Sequence, residues 1–273
     1  MRVARIIVFD SGLGGLTVYR ELQKQLASAT YLYVADNAVF PYGDLNEEEL
    51  VIRLLALFDE LIVRERPDLC VIACNTASTI ALAPLREHFE VPFVGTVPAI
   101  KTAAERTQSG VFSLLATPGT VKRQYTGDLI KNFAGDCEVT LLGAPCLAEM
   151  AEKFMRGHPV DLDQLAKTIS PAFVEREGRR TDIIVLGCTH YPLLVEEMRK
   201  VAPWPVDFID PSPAIARQSQ VVLKGLSRLP GQCSRREEDN RLLYTGGGEI
   251  VDNMGGFLSR LNLHKIVHDP LIG

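Results

Sequence analysis

An apolar run that stops at a cysteine occurs twice in this chain, as Ile72-Ala73-Cys74-Asn75-Thr76-Ala77-Ser78 and again as Leu186-Gly187-Cys188-Thr189-His190-Tyr191-Pro192. Small hydrogen-bonding residues follow each cysteine, and about one small domain's length of chain separates the two. The segments around them recur in the same order. Ile6 to Phe9, Tyr31 to Ala35, Leu69 to Ala73 and Pro92 to Gly95 are short apolar runs, and Val111 to Ala116, Val139 to Leu142, Ile183 to Leu186 and Pro205 to Ile209 repeat them. Strands that are apolar without alternation belong to a parallel sheet covered on both faces. An internal duplication is the simplest account of the matching order.

Between the strands the period changes to that of helices. Leu16, Tyr19, Leu22 and Leu26 lie near helical spacing, as do Leu50, Leu54, Leu57, Leu61 and Ile62. Asn46 with Glu49 reads as an N-cap and capping-box pair opening a helix that runs to about Arg66. Further helices are expected over 78–88, 147–156, 161–177, 213–226 and 251–261, with a polar surface loop from Leu229 to Arg241 and a short edge strand from Leu242 to Tyr244. The expected fold is α/β: two similar doubly wound domains with mainly parallel sheets, related by a pseudo-two-fold axis. Residues 1–97 with 211–273 form one domain and 98–210 the other, with the active site in the cleft between them.

Composition narrows the class of function. The 273 residues are 47% hydrophobic and 23% charged, with a formal net charge of −5. No broad basic field exists for nucleic acid or an anionic membrane surface. The opening apolar run stops at Asp10, too short for a secretory core, and no run of about 18 apolar residues spans a bilayer. The expected compartment is the reducing cytoplasm, where the six cysteines remain thiols. No CxxC pair is present and Cys70 and Cys74 fall on one strand, so no metal site is expected. His264 and His268 read as solvated residues of the tail.

The polar residues of interest share one topological position. Asp10, Asp36, Cys74, Thr117 and Cys188 each follow an apolar strand, the edge where open parallel sheets bind ligands. Gly12-Leu13-Gly14-Gly15-Leu16-Thr17 follows a strand and opens a helix, with Asp36 at the end of the next strand, as in a dinucleotide fingerprint. Thr17 replaces the third glycine, and Asp10 puts a negative charge beside any pyrophosphate. A nucleotide site, a tight structural turn and a small-anion site all remain open for this stretch.

Cys70, inside a strand, reads as a small core hydrophobe, and Cys137, Cys146 and Cys233 as structural or incidental. Cys74 and Cys188 stand at strand ends. A lone cysteine there suits a hydrolase nucleophile assisted by His190. Two symmetric ones suggest that one thiol takes a proton from one face of a substrate carbon while the other donates to the opposite face.

These stretches, with Asp10-Ser11-Gly12-Leu13-Gly14-Gly15, Pro41-Tyr42-Gly43 and Ala116-Thr117 with Thr120, closely resemble the glutamate racemases of the cofactor-independent aspartate/glutamate racemase superfamily over essentially the whole chain. The superfamily's aspartate enzymes usually carry an acidic residue where His190 stands, which favours glutamate over the alternative, aspartate. The resemblance implies that Cys74 and Cys188 are the acid/base pair, assisted by Asp10 and His190 on their own sides. It implies substrate contacts from Asp10, Ser11, Pro41, Tyr42, Gly43, Asn75, Thr76, Thr117, Thr120, Thr189 and His190, and an assisting glutamate at Glu152 or the nearby Glu149. It further implies D- and L-glutamate as ligands, D-glutamate supply for peptidoglycan, and a homodimer.

The residue types are consistent with that chemistry. No motif offers a lysine suited to pyridoxal phosphate, and the expected cofactor is none. Stabilisation of a carbanion-like state must then come from oriented neutral donors such as Asn75, Thr76, Thr189 and loop N–H groups. Asp10 and Ser11 are placed either to hold a substrate ammonium or to order a thiol.

Overall fold

The computed structural model describes residues 3–226 and 240–270, so Cys233 and most of the polar stretch from Leu229 lie outside the described residues. The chain divides into two compact units, residues 1–96 with 212–273 and residues 97–211.

In the first unit β1 (Arg5–Asp10), α1 (Leu16–Gln25), β2 (Thr30–Ala35), α2 (Glu47–Glu65), β3 (Leu69–Ile72), α3 (Asn75–His88) and β4 (Phe93–Gly95) alternate. The second unit contains α4 (Ile100–Arg106), β5 (Val111–Ala116), α5 (Pro118–Lys122), α6 (Gln124–Phe133), β6 (Glu138–Gly143), α7 (Leu147–Met155), α8 (Leu162–Ile169), β7 (Glu175–Arg176), β8 (Arg179–Arg180), β9 (Ile183–Gly187), α9 (Val195–Val201) and β10 (Asp207–Ile209). The chain then returns to the first unit with α10 (Ser212–Gly225), β11 (Arg241–Tyr244), α11 (Gly255–Arg260) and β12 (Lys265–His268).

The first sheet has the order β12-β11-β2-β1-β3-β4, and the second, read from its β6 edge, β6-β5-β9-β10; every strand pair in both is parallel. Strands β1 to β4 of the first sheet and the four of the second share one pattern. A chain that leaves the first strand, adds its second on one side and its third and fourth on the other reverses direction beside the first strand, and β3 and β9 occupy the same place in that pattern.

Packing explains the apolar runs. Ile7, Phe9, Leu32, Val34, Cys70 and Ile72 face α2 and α3 in one buried cluster with Leu54, Phe58, Leu61 and Leu85. On the other face Tyr19 of α1 meets Tyr31 and Tyr33 edge-on, and α1 packs along α10. The second sheet buries Phe112, Leu114, Ile183 and Val185 beneath α4 and α6. Full burial of such side chains is worth about 1.5–3 kcal/mol each, which both faces of a parallel sheet collect.

Asn46 caps α2 as expected, its Oδ1 accepting from the N–H groups of Glu48 at 2.8 Å and Glu49 at 3.5 Å. Asn46→Ala is expected to lower unfolding stability by about 1 kcal/mol, read as a smaller urea midpoint at constant slope.

Three expectations need correction. The helix expected over 161–177 ends at Ile169, because Pro171 cannot continue the ladder. Beyond it Glu177 (φ 51°) and Gly178 (φ 75°) make the two-residue turn of a hairpin between β7 and β8. Leu242 to Tyr244 is not an edge: β11 lies between β2 and β12, and β12 takes the edge. His268 is exposed, as expected, and lies in β12 with its ring stacked on Tyr244, ring centres 4.9 Å apart. The last helix is interrupted at Asn253 (φ 61°), leaving a 3-10 turn over 248–251 and α11.

Candidate active site

Parallel strands deliver the residues that succeed them to one edge, so both cysteines stand just beyond the carboxyl ends of the corresponding strands β3 and β9. All five described cysteines are thiols. Burial alone pushes the Cys70 thiol far above its ordinary range, so this cysteine packs rather than reacts.

Cys74 is 6% exposed. The helix expected from Ser78 begins three residues earlier, and Cys74 is its N-cap. Its Sγ accepts from Ala77 N–H at 3.5 Å and lies 3.7 Å from Ser11 Oγ. The sulfur therefore sits at the positive end of α3, where backbone N–H groups favour an anion. Asp10, fully buried, ends β1 next door and accepts from Gly12 N–H at 2.9 Å.

The glycine turn has a packing reason. A Cβ on Gly15 would come within 2.8 Å of Asp10 Cβ, 2.9 Å of Tyr33 Oη and 3.0 Å of Ala73 Cβ, so only glycine lets α1 start this close to the sheet edge. Thr17, where a fingerprint has its third glycine, donates its hydroxyl to Gly14 O at 2.9 Å. Of the three readings left open, the tight structural turn is the one the contacts carry. Gly187 plays the same part before Cys188, since a Cβ there would meet Ala116 Cβ at 2.7 Å.

Asn75 and Thr76 are buried in the first turn of α3. Neither amide atom of Asn75 has a hydrogen-bond partner among the described residues, although its side chain is buried. A buried amide left so costs about 1–3 kcal/mol, which a hydrogen-bonding ligand would recover. Thr96 Oγ1, beyond β4, is buried and unpartnered in the same sense. The sequence marked Thr96 only as a break after a strand. Tyr42 is buried and Gly43 half-buried in a 3-10 turn that comes after the cis Phe40–Pro41 peptide and the exposed Pro41.

In the second unit Cys188 is 8% exposed and lies 3.7 Å from His190 Nδ1. His190 Nε2 lies 3.1 Å from Glu152 Oε1, so the imidazole bridges sulfur and carboxylate. Burial opposes charge on this imidazole, but its bonds to Cys188 and Glu152 outweigh that and raise its pKa well above the histidine range. Between the two glutamates suggested by resemblance, Glu152 is buried against His190, whereas Glu149 is exposed and pairs with Lys153 at 4.0 Å. Arg156, one turn on, stands 3.6 Å from Glu152. Tyr191 anchors the loop by donating to Ala144 O at 3.0 Å. Thr117 caps α5, its Oγ1 2.9 Å from that of Thr120, and Thr189 is buried beside Cys188 in sequence.

Each unit thus brings its own share of the expected residues to one sheet edge: Asp10, Ser11, Tyr42, Gly43, Cys74, Asn75 and Thr76 in the first, and Thr117, Thr120, Glu152, Cys188, Thr189 and His190 in the second. Among the described residues no cluster of three or more His, Cys, Asp or Glu side chains is placed to hold a metal ion. No helix among them is long and apolar enough to cross a membrane.

A parallel α/β sheet ending in a thiol, occurring twice, defines a class. The family described as Asp/Glu/hydantoin racemase matches residues 6–219, and the chain belongs to that family and is an isomerase. Within it the likeness is to glutamate racemases. The chain is 55% identical to the glutamate racemase of Brucella canis over 81% of its own length and 80% of the relative's. It is 54% identical to that of Agrobacterium fabrum, covering 89% and 88%. Among solved structures, Escherichia coli glutamate racemase in complex with L-glutamate and the activator UDP-MurNAc-ala superposes with a TM-score of 0.88 at 38% identity, covering 98% of each chain.

Proposed function

We propose that this protein interconverts L- and D-glutamate without a cofactor, Cys74 and Cys188 acting as the two acid/base residues on opposite faces of the α-carbon. The observation that carries the reading is the pair of buried thiols at equivalent strand ends, each with a hydrogen-bonding helper. Racemisation needs one group to remove the α-proton and another to deliver a proton from the other side. A pair of identical groups serves both directions, since each is base for one enantiomer and acid for the other.

The helpers have distinct roles in this reading. Ser11 and the N-terminus of α3 stand against the Cys74 sulfur, and the imidazolium of His190, held by Glu152, stands against that of Cys188. Asp10 assists on the Cys74 side. The amide of Asn75, without a partner among the described residues, binds the substrate together with Thr76, Thr189, Thr117, Thr120 and the Pro41-Tyr42-Gly43 loop. Donors fixed in advance of the charge that develops on the substrate carboxylate cost no reorganisation when it forms.

The product D-glutamate would supply peptidoglycan synthesis in the cytoplasm. The homodimer belongs to the same reading and rests on the resemblance. Aspartate is the competing substrate. Purified protein incubated with L-glutamate in deuterium oxide is expected to lose optical rotation while deuterium enters the α-position, with aspartate turned over far more slowly. Binding of glutamate without α-deuteration would leave a sequestering protein rather than an enzyme.

A further inference from the structure

One buried carboxylate takes no part in these proton transfers. Asp36, beyond β2, is fully buried, and its two oxygens are shared by donors from three segments of the first unit. Arg53 of α2 grips both, with Nε 2.7 Å from Oδ2 and Nη2 2.6 Å from Oδ1. Thr245, just after β11, donates its hydroxyl to Oδ1 at 2.6 Å. The third donor is the hydroxyl of Tyr42, bonded to Oδ2.

The surrounding main chain is tied in the same sense. Thr245 Oγ1 accepts from Ala38 N–H at 3.2 Å, and Gly246 N–H donates to Asn37 Oδ1 at 2.9 Å. A Cβ on Gly246 would meet Ala38 N at 2.8 Å, so the two turns touch backbone to backbone. With both oxygens engaged, Asp36 is committed to structure, which removes the ribose partner that a dinucleotide reading required.

The carboxylate holds a group that lies next to the chemistry. Tyr42 is buried in the same apolar cluster as Cys74 and packs on Phe9 with ring centres 6.3 Å apart. Burial and the adjacent Asp36 push its phenol well above the ordinary range, so it stays a neutral donor to the carboxylate. Gly43 is the next residue in the chain.

We propose that Arg53 and Thr245 are positioning residues of the racemase site: through Asp36 they fix the hydroxyl of Tyr42 and hence the Pro41-Tyr42-Gly43 loop that meets the substrate. The inference rests on the reading of that loop as substrate-binding. A bidentate guanidinium sets the carboxylate's plane, and the tail turn at Thr245 closes the second oxygen. The segment after β11 thereby completes a loop that begins some two hundred residues earlier in the chain.

A role confined to stability would lower the unfolding midpoint and leave the folded enzyme's KM alone. A positioning role changes binding. Thr245→Val, which keeps the shape and loses the hydroxyl, is expected to raise KM for both enantiomers about tenfold with kcat within about twofold, whereas Thr245→Ser stays within about twofold of wild type in both. In a Tyr42→Phe background, where the link is already cut, Thr245→Val is expected to add less than about twofold to KM. Should Thr245→Val fail to fold, Arg53→Lys keeps the charge, loses the fork and is expected to raise KM in the same way.

An unchanged KM in these variants of an enzyme that turns over glutamate overturns the clamp alone, as does a Thr245→Val effect that multiplies in full with that of Tyr42→Phe. Absence of glutamate turnover in the wild-type protein overturns the reading on which the clamp rests, and the clamp with it.

Discussion

Replacement of either Cys74 or Cys188 by alanine is expected to lower glutamate racemisation by about a thousandfold or more, the range that general acid–base groups supply. A turnover of roughly 10 per second corresponds to a barrier of about 16 kcal/mol, and a thousandfold loss adds about 4 kcal/mol to it. Both directions must fall together. The enantiomers are equally stable, so kcat/KM is the same from either side for any variant.

The two single variants differ in exchange with solvent. With one thiol gone, the other still reaches the α-proton of one enantiomer and returns a deuteron to the same face. Cys74→Ala is therefore expected to wash deuterium into one enantiomer without inverting it, and Cys188→Ala into the other. Mass spectrometry of each pure enantiomer in deuterium oxide reads this directly. Wash-in to the same enantiomer by both variants would place both thiols on one face and end the two-base mechanism.

Much of this site was visible in sequence because its residues obey a topological rule. Cys74, Cys188, Asp10 and Thr117 come at the ends of apolar strands, and a parallel sheet gathers all its strand ends on one edge. The features that could not be read were set by contacts across the chain. Glu149 and Glu152 share one helix and one composition; only the face of α7 that meets His190 distinguishes them.

Asp36 suited a ribose-binding acid by position, and its partners Arg53 and Thr245 come from elements that sequence order does not bring together. A signal did exist. Arg53 stands three residues after Leu50 and four before Leu57, on the apolar stripe of α2, where a charge needs a buried partner. The β7–β8 hairpin was masked by the apolar spacing of the segment before it, and the two-residue turn at Glu177-Gly178 was the feature that mattered. Strand β12 has a mostly exposed burial pattern and offers little apolar signal to read.

The second large effect tests the inequality of the helpers. In the proposed mechanism Cys74 works with Ser11 and the N-terminus of α3, and Cys188 with a charged imidazole backed by Glu152. His190→Asn is expected to slow deuterium wash-in about a hundredfold for the enantiomer deprotonated by Cys188, with a smaller effect on the other, and Asp10→Asn to show the opposite bias. Because kcat/KM stays equal in both directions, the bias in steady state appears in kcat with compensating KM. Equal loss of wash-in for both enantiomers in both variants would mean that the helpers are shared. The charge on His190 also marks stability. Its folded pKa is raised, burial being outweighed by Cys188 and Glu152, so its contribution is fully present below the unfolded value near pH 6.5 and is lost as pH rises through the folded one. Glu152→Gln removes one of the two groups that raise it. The urea-measured stability difference between wild type and Glu152→Gln is therefore expected to be largest below about pH 6.5 and to shrink as the pH is raised. A difference that grows with pH would show that His190 is neutral in the folded protein, and that Cys188 is assisted by a hydrogen bond rather than by a charge.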